Sequence, residues 1–317
     1  MFYTFMGGDV MKVKFGFAFK ILPDCYEKFA LLQAQSIRQY SGTHKDSPIY
    51  AMLPREEQGK LNPDIVAQLH ELGVEIVPFD YYTSNQTIYY TTKSMAAGAA
   101  EAYATGKIEQ LIYTDTETLV LNDPSLMALY KTKKLGIRPV DIRHIGPLWD
   151  APLDEFWTNI YSLLRVDDKN VFPVISTVDS MKLRAYFNAC LITVKPEAGL
   201  LQKWSANLAR LRDNPVWIPF FAKDEKYRVF LHQAILAGTL LHELREDEIE
   251  VYPVQVNFPL FAYPRHPHKP AWINDLVTCR LDLLGTDECW KTWLPMQEPV
   301  RSWLINQVET LQLEFPS

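Results

Sequence analysis

Gln110-Leu-Ile-Tyr-Thr-Asp115-Thr-Glu117-Thr-Leu-Val-Leu-Asn-Asp123-Pro124 is the stretch on which the fold turns. Gln110 to Thr114 reads as a short buried strand, and it delivers Asp115 and Glu117 just past its end, where open α/β sheets hold their ligands. A second apolar triplet, Leu119 to Leu121, leads into Asn122-Asp123-Pro124, which predicts a helix start with Asp123 as cap and Pro124 in the first turn. The two acids therefore fall in a bend between short strands. Residues two apart can turn both carboxylates toward one ion, and hard oxygen ligands suit Mg²⁺ or Mn²⁺ completed by substrate phosphates.

Upstream, strand and helix alternate. Val13 to Phe19 is a strand, Tyr26 to Tyr40 a helix, Pro48 to Leu53 a strand, Pro63 to Leu72 a helix closed by Gly73, and Val74 to Phe79 a strand. The Ala-rich segment Lys93 to Thr105, ended by Gly106, predicts a helix packed closely on the sheet. Four such steps describe a doubly wound, mostly parallel sheet with helices on both faces.

Downstream the alternation loosens. Leu135 to Arg143 is a strand candidate, Asp154 to Leu164 a helix, Val166 to Asp179 a loop with weak strand character, and Tyr186 to Val194 a strand. Pro196 to Arg212 carries Leu200, Leu201, Trp204, Leu208 and Leu211 at helical spacing, a core stripe, and Tyr227 to Glu243 is another helix. Ile249 to Pro253 and Phe258 to Ala262 are expected as edge strands, since proline interrupts them. Pro264 to Trp272 is a basic, proline-rich loop, and Arg301 to Leu313 is the expected last helix. No repeat or linker divides the chain, so one unit is expected over residues 12–317: a nucleotide half to about 125, then an acceptor half. Residues 1–11 are expected to form a flexible leader.

Composition narrows the function classes. The chain has 317 residues and is 48% apolar, enough for a large core. Its formal charge of −6, from 32 basic and 38 acidic residues, comes without a dense basic block, which argues against a nucleic acid partner. Cys25, Cys190, Cys279 and Cys289 form no CxxC pair, which fits reduced thiols in a cytoplasmic protein better than a zinc site or a disulfide framework. No apolar run reaches the roughly 18 residues of a membrane span.

In this order the pieces resemble a family. The acidic strand end, Tyr186-Phe-Asn188-Ala, His232-Gln233-Ala-Ile-Leu and Tyr252-Pro-Val-Gln-Val-Asn257 are similar to the ordered signatures of glycogenin-like and galactosyltransferase-like sugar-nucleotide transferases of the GT-A type. The resemblance covers about residues 12 to 275 and implies a Rossmann-like sheet with a smaller acceptor-side sheet. It also implies transfer of a sugar from a nucleotide diphosphate, a UDP-sugar, to an acceptor, with Mn²⁺ or Mg²⁺ bridging the diphosphate. By the same resemblance, Asp115 and Glu117 hold the ion, and Lys93, Thr114 and Thr116 join them against the nucleotide. Asn188 and Gln233 orient the sugar or line the acceptor face, and Lys269, with Lys93 or Arg138, adds positive charge. A histidine ligand is expected from Arg265-His266-Pro-His268-Lys269-Pro270-Ala-Trp272, as His266 or, alternatively, His268.

Three positions depart from the family pattern. Glu117 stands for an aspartate, Cys190 for a glycine and His232 for an acid. Singly, an Asp-x-Glu after a strand is ordinarily a solvated turn, and it is the ordered set of motifs that raises it to a candidate site. The departures keep a second possibility open, a nucleotide- or sugar-binding protein without turnover. A nucleotidyltransferase ranks third, because Phe19-Lys-Ile-Leu-Pro-Asp-Cys25 after the first strand lacks the glycine of a phosphate-binding loop.

Overall fold

The computed structural model describes residues 13–81, 90–282 and 289–313, so the expected leader lies outside them. The first half follows the strand and helix alternation: β1 (Phe15–Lys20), α1 (Cys25–Tyr40), β2 (Ile49–Pro54), α2 (Pro63–Glu71), β3 (Val74–Phe79), α3 (Thr91–Ala104) and β4 (Gln110–Thr114), then β5 (Thr118–Val120). The second half contains β6 (Leu135–Pro139), α4 (Glu155–Leu164), a hairpin of β7 (Pro173–Ile175) and β8 (Lys182–Arg184), and β9 (Phe187–Val194). After these come α5 (Leu200–Leu211), α6 (Ile218–Lys223), α7 (Glu225–Glu243), β10 (Ile249–Val251), β11 (Phe258–Pro259), β12 (Thr278–Arg280), α8 (Trp290–Trp293) and α9 (Val300–Thr310).

Seven strands form the main sheet in the order β10-β6-β9-β4-β1-β2-β3, and only β9 runs against the others. Side chains alternate across it, as the two-residue strand period requires. Ala18, Tyr50, Met52, Leu111 and Tyr113 pack toward α3, α5 and α7 on one face. Phe17, Phe19, Ala51, Leu53 and Ile112 pack toward α1 and α2 on the other. A smaller sheet, β11-β12-β5, packs with α1 and α9 into a further core.

Small residues let α3 lie close. A Cβ on Gly98 would come within 2.8 Å of Ser205 on α5. Glu101 of α3, fully buried, accepts hydrogen bonds from the backbone N–H groups of Leu200 and Gln202, capping the start of α5. Gly199, at φ +65°, separates that helix from the short 3₁₀ turn Pro196–Ala198, so the expected continuous helix is broken there.

Other boundaries also shifted. Pro124–Met127 is a single 3₁₀ turn rather than a full helix, although Asp123 does cap it by accepting from Ser125 N. The Phe258 strand ends at Pro259 and gives way to a 3₁₀ segment. β6 stops at Pro139, and the remaining residues to Arg143 form a turn.

Gly136 on β6 faces Tyr252, whose hydroxyl donates to Met127 O at 2.8 Å. A Cβ at this position would lie 2.0 Å from the tyrosine oxygen, far inside van der Waals contact. Gly136→Ala is expected to destabilise the protein by about 3 kcal/mol or more, because a buried, hydrogen-bonded ring must move. An unchanged thermal melt would contradict this packing.

Candidate active site

The chain runs β1, β2, β3 outward and then returns to place β4 on the other side of β1, so the strand order reverses between β1 and β4. Open α/β sheets bind ligands at the carboxyl ends of the strands flanking such a reversal. A cavity of about 340 Å³ opens there, within the roughly 300–1,000 Å³ range of small-molecule sites. It extends from Lys20 and Tyr26 beside β1, past Asp115, Thr116 and Glu117, to the turn after β6.

The acidic turn is pinned from three sides. Thr118 N donates to Asp115 O at 3.2 Å, closing the bend, and Asp115 N donates to Cys190 O at 2.7 Å on β9. Thr116 Oγ1 donates to Lys20 O at 2.5 Å, tying the turn to the end of β1. Lys93 reaches the turn from the first turn of α3, its backbone carbonyl accepting from the Tyr113 hydroxyl. Its ammonium lies 2.7 Å from Asp115 Oδ2, with both groups largely out of water. Burial would pull this lysine's pKa down, but the Asp115 charge and hydrogen bond outweigh it and hold Lys93 well above its ordinary range.

Two further carboxylates line the same cavity. Burial and the neighbouring Asp115 push Glu117 up to about 7. Burial likewise raises Asp282, just beyond β12, against the opposing pull of Arg280. The small sheet sets the distance between these two acids. Thr118 pairs with Arg280 in the β5–β12 ladder, and Leu281 N donates to Glu117 O at 2.8 Å. Asp282 Oδ1 is buried and makes no hydrogen bond, although Arg280 Nε stands 3.5 Å away.

Below the acids lies a buried charged cluster. Asp141 receives Arg280 Nη2 at 2.6 Å, Arg138 Nη2 at 3.1 Å, Thr177 Oγ1 at 2.9 Å and Asn188 Nδ2 at 3.1 Å. Burial would raise its pKa, but the two guanidinium groups outweigh it and hold Asp141 below the usual carboxylate range. Asn188 Oδ1 in turn accepts from Cys190 N at 2.8 Å, and Arg280 Nη1 lies 3.1 Å from Cys190 Sγ. Burial and the Asp115 charge push that thiol up to about 12, so it stays protonated.

The other residues named from sequence divide between the cavity and its surroundings. Asn188 and Gln233 line the cavity with Lys93, Asp115, Thr116 and Glu117. Thr114 turns its hydroxyl to Gln33 and Ala18 on the far side of the strand. Arg138 is buried beneath, donating to Val256 O and Asn257 O. Lys269 is exposed and donates to Pro264 O at 3.0 Å. His266 is buried outside the cavity lining, its Nδ1 accepting from His268 N at 3.1 Å, and burial with nearby Arg138 lowers its pKa to about 4.

His232 does line the cavity. Its Nδ1 bonds the Val229 carbonyl at 2.9 Å, which makes Nδ1 the protonated nitrogen and leaves Nε2 as an acceptor. Burial and the Lys93 charge keep this ring neutral.

Lys20, Asp141, Arg280 and Asp282 were not singled out from the sequence. Arg280-Leu-Asp282 follows a short apolar run just as Asp115-Thr-Glu117 does, and that repeated pattern was the available signal.

A family described as a Rhodobacterales glycosyltransferase domain matches residues 21–241, which include β4, the acidic turn, Asn188 and Gln233. The chain belongs to this family. It is a glycosyltransferase by that membership. Among solved structures this glycosyltransferase is similar to mouse xyloside xylosyltransferase 1 in its apo form, with 10% identity over 84% of this chain and 97% of that one and a TM-score of 0.48. It is also similar to the galactosyltransferase LgtC in complex with donor and acceptor sugar analogues, with 14% identity over 84% and 86% of the two chains and a TM-score of 0.43. The WbbM bifunctional glycosyltransferase is a third, with 11% identity, 86% and 46% coverage and a TM-score of 0.49. No curated protein matches the chain in sequence. Among the described residues, no helix is long and apolar enough to cross a membrane.

Proposed function

We propose that this glycosyltransferase moves a hexosyl unit from a nucleotide diphosphate sugar, a UDP-sugar by sequence resemblance, to an acceptor hydroxyl, using a divalent ion held at the acidic turn. The observation that carries this proposal is the crowding of Asp115, Glu117 and Asp282 around one cavity at the strand-order reversal. Glu117 and Asp282 both have raised pKa values, and Asp282 Oδ1 lacks a hydrogen bond. Such acids have room for a cation, and their hard oxygens suit Mg²⁺ or Mn²⁺.

Among the described residues, no three His, Cys, Asp or Glu side chains converge as a ready metal cage. An ion would therefore rest on one or two carboxylates and take its remaining oxygens from diphosphate and water, as Mg²⁺ commonly does. When bound, it would neutralise the charge that develops on the leaving diphosphate. Asp282 lines the cavity and His266 does not, so we count Asp282 with Asp115 and Glu117 among the carboxylates from which those one or two protein ligands would be drawn.

The chain's own groups supply the rest. Lys93 fixes the Asp115 carboxylate and sets a positive charge beside the diphosphate. Lys20, whose pKa burial lowers despite Asp115 and Glu117, adds a second amine on the β1 side. Asn188 and Gln233, with the neutral acceptor nitrogen of His232, are placed to bond sugar hydroxyls. Among the described residues no disulfide joins Cys25, Cys190, Cys279 or Cys289.

The reading without turnover has one observation in its favour: Lys93 already occupies an oxygen of Asp115. Thermal melting with nucleoside diphosphates and sugar nucleotides, each with and without Mn²⁺, tests the proposal. Ligand at 100 times its Kd stabilises the native state by about 2.7 kcal/mol. A Mn²⁺-dependent rise with one nucleotide is expected, followed by sugar release or transfer from its sugar conjugate. Binding without turnover would favour the second reading, and no rise with any nucleotide would overturn the proposal.

The same titration should depend on pH. With Glu117 titrating near 7, its carboxyl is largely protonated at pH 6 and a poor ligand. The Mn²⁺ affinity is expected to grow up to about tenfold per pH unit below 7 and to level off above about 8. Without metal the sign reverses. The folded state keeps this proton to higher pH than the unfolded chain, so the stability Glu117 contributes is present below about 4.5 and lost as pH rises through about 7. A metal affinity independent of pH from 6 to 8 would remove Glu117 from the ligand set.

A further inference from the structure

The end of the cavity farthest from β1 is built differently from the acidic turn. There the turn after β6 presents His144, and α7 presents Phe230. The two rings stack with centroids 4.4 Å apart and planes within 19° of parallel. His144 is exposed, yet its backbone has φ +45°, a left-handed conformation that a non-glycine residue adopts at a cost.

The surrounding turn holds it in place. Arg143 N donates to Asp179 Oδ2 at 2.9 Å, Arg143 Nε donates to Gly146 O at 2.9 Å, and Gly146 N donates to Arg143 O at 2.6 Å. Three residues earlier, Asp141 anchors the same turn to Arg138 and Arg280. An exposed ring held on a strained backbone by this many bonds is a built surface. Burial and nearby Lys226 lower the His144 pKa, so the ring is neutral at pH 7 and the platform carries no charge.

Sheet geometry separates this platform from the nucleotide. β6 is two strands beyond β4 and three beyond β1 in the sheet order. At about 4.8 Å per strand, the platform's strand stands roughly 10 Å from β4 and 14 Å from β1. A nucleoside diphosphate seated between β1 and β4 leaves its sugar over the β4 acids, and the next ring toward β6 belongs to the acceptor.

We propose that the His144–Phe230 stack is the acceptor subsite, and that the acceptor is a saccharide that lays the C–H face of a pyranose ring on it. The proposal rests on the transferase reading above. The C–H face of a pyranose is electropositive and apolar, and aromatic faces are electronegative and apolar. Gln233 lines the cavity nearby, where it can meet the ring's hydroxyl groups, above a floor formed by Asp141 and Asn188, which are bonded to each other. One apolar platform with a few polar groups is the usual composition of a small-molecule subsite.

Saturation-transfer NMR on the full chain tests it, with methyl β-galactoside, methyl β-glucoside, methyl β-xyloside and lactose as probes, each with and without UDP and Mn²⁺. The expected result is transfer to the ring C–H protons of at least one probe, reduced about fivefold or more in His144→Asn and Phe230→Ala and retained in Phe230→Tyr. Asparagine tolerates the left-handed backbone, and His144 is exposed, so His144→Asn stays informative even if Phe230→Ala fails to fold.

Nucleotide-induced melting shifts should be unchanged in these variants. If no probe receives saturation, or if transfer persists in His144→Asn, the acceptor subsite is wrong. A nucleotide shift without any saccharide contact sinks this inference alone. Saccharide contact that depends on His144 without any nucleotide shift sinks the donor assignment and leaves the platform standing.

Discussion

Asp115→Asn is expected to lower sugar transfer by about 10²-fold or more while leaving the protein folded, because on the proposed reading it removes the negative charge that would hold the divalent ion. Asp115→Ala should lose as much activity and also about 3–5 kcal/mol of stability. The difference comes from Lys93. Its ammonium lies 2.7 Å from Asp115 Oδ2, and the lysine is only 5% exposed, so alanine would strand a buried cation. Asparagine keeps an oxygen at that position and should cost markedly less.

The double variant Asp115→Ala with Lys93→Met removes both charges and should regain most of the lost stability without regaining activity. Thermal melts and turnover on the three proteins separate the structural part of Asp115 from its chemical part. Full activity in well-folded Asp115→Asn would remove the metal site from the mechanism.

Asp141→Ala should have a comparable effect on stability. Arg138 and Arg280 are 1% and 4% exposed, and Asp141 is the carboxylate that stands between them. Without it two buried guanidinium groups face each other, and breaking a buried ion pair from one side typically costs about 3–5 kcal/mol. A melting temperature lower by roughly 5–8 °C is expected. Asp141→Asn, which still accepts from Thr177 and one arginine, should fall between. A shift of less than about 2 °C in Asp141→Ala would mean that the cluster is far more open to water than its packing indicates.

Much of the first half was legible because its signals are local. Strands such as Val74 to Phe79 are apolar runs bounded by Gly73 and loops, and α2 begins with Asn62 accepting from Asp64 N and with Pro63 at its first position. The acidic turn was legible for the same reason, since its two acids directly follow a buried strand.

The second half was less legible because its elements are short and depend on distant partners. Neither β7 nor β8 exceeds three residues, and each exists through the other. Nothing local in Tyr186 to Val194 states that β9 runs antiparallel between β4 and β6. Arg280 and Asp141 are 139 positions apart, so their ion pair leaves no pattern in either neighbourhood. Lys20 and Asp282 were hidden in a similar way, as single charged residues at strand ends whose meaning appears only when β1, β4 and β12 converge. His266 and Lys269 show the opposite case. Their loop resembles a family motif in composition, but neither residue is in the cavity lining.

The pairing of Thr118 with Arg280 in the small sheet acts as a ruler between Glu117 and Asp282. A ruler tolerates repainting but not the loss of a mark. Apolar residues in β5 and β12 can therefore be exchanged for others of similar size, while one inserted or deleted residue would turn every following side chain to the opposite face and separate the two acids. Variants of this protein should thus differ more readily in the letters of these two strands, Arg280 aside, than in their number, and library designs should hold the length from 117 to 120 and from 278 to 282 constant.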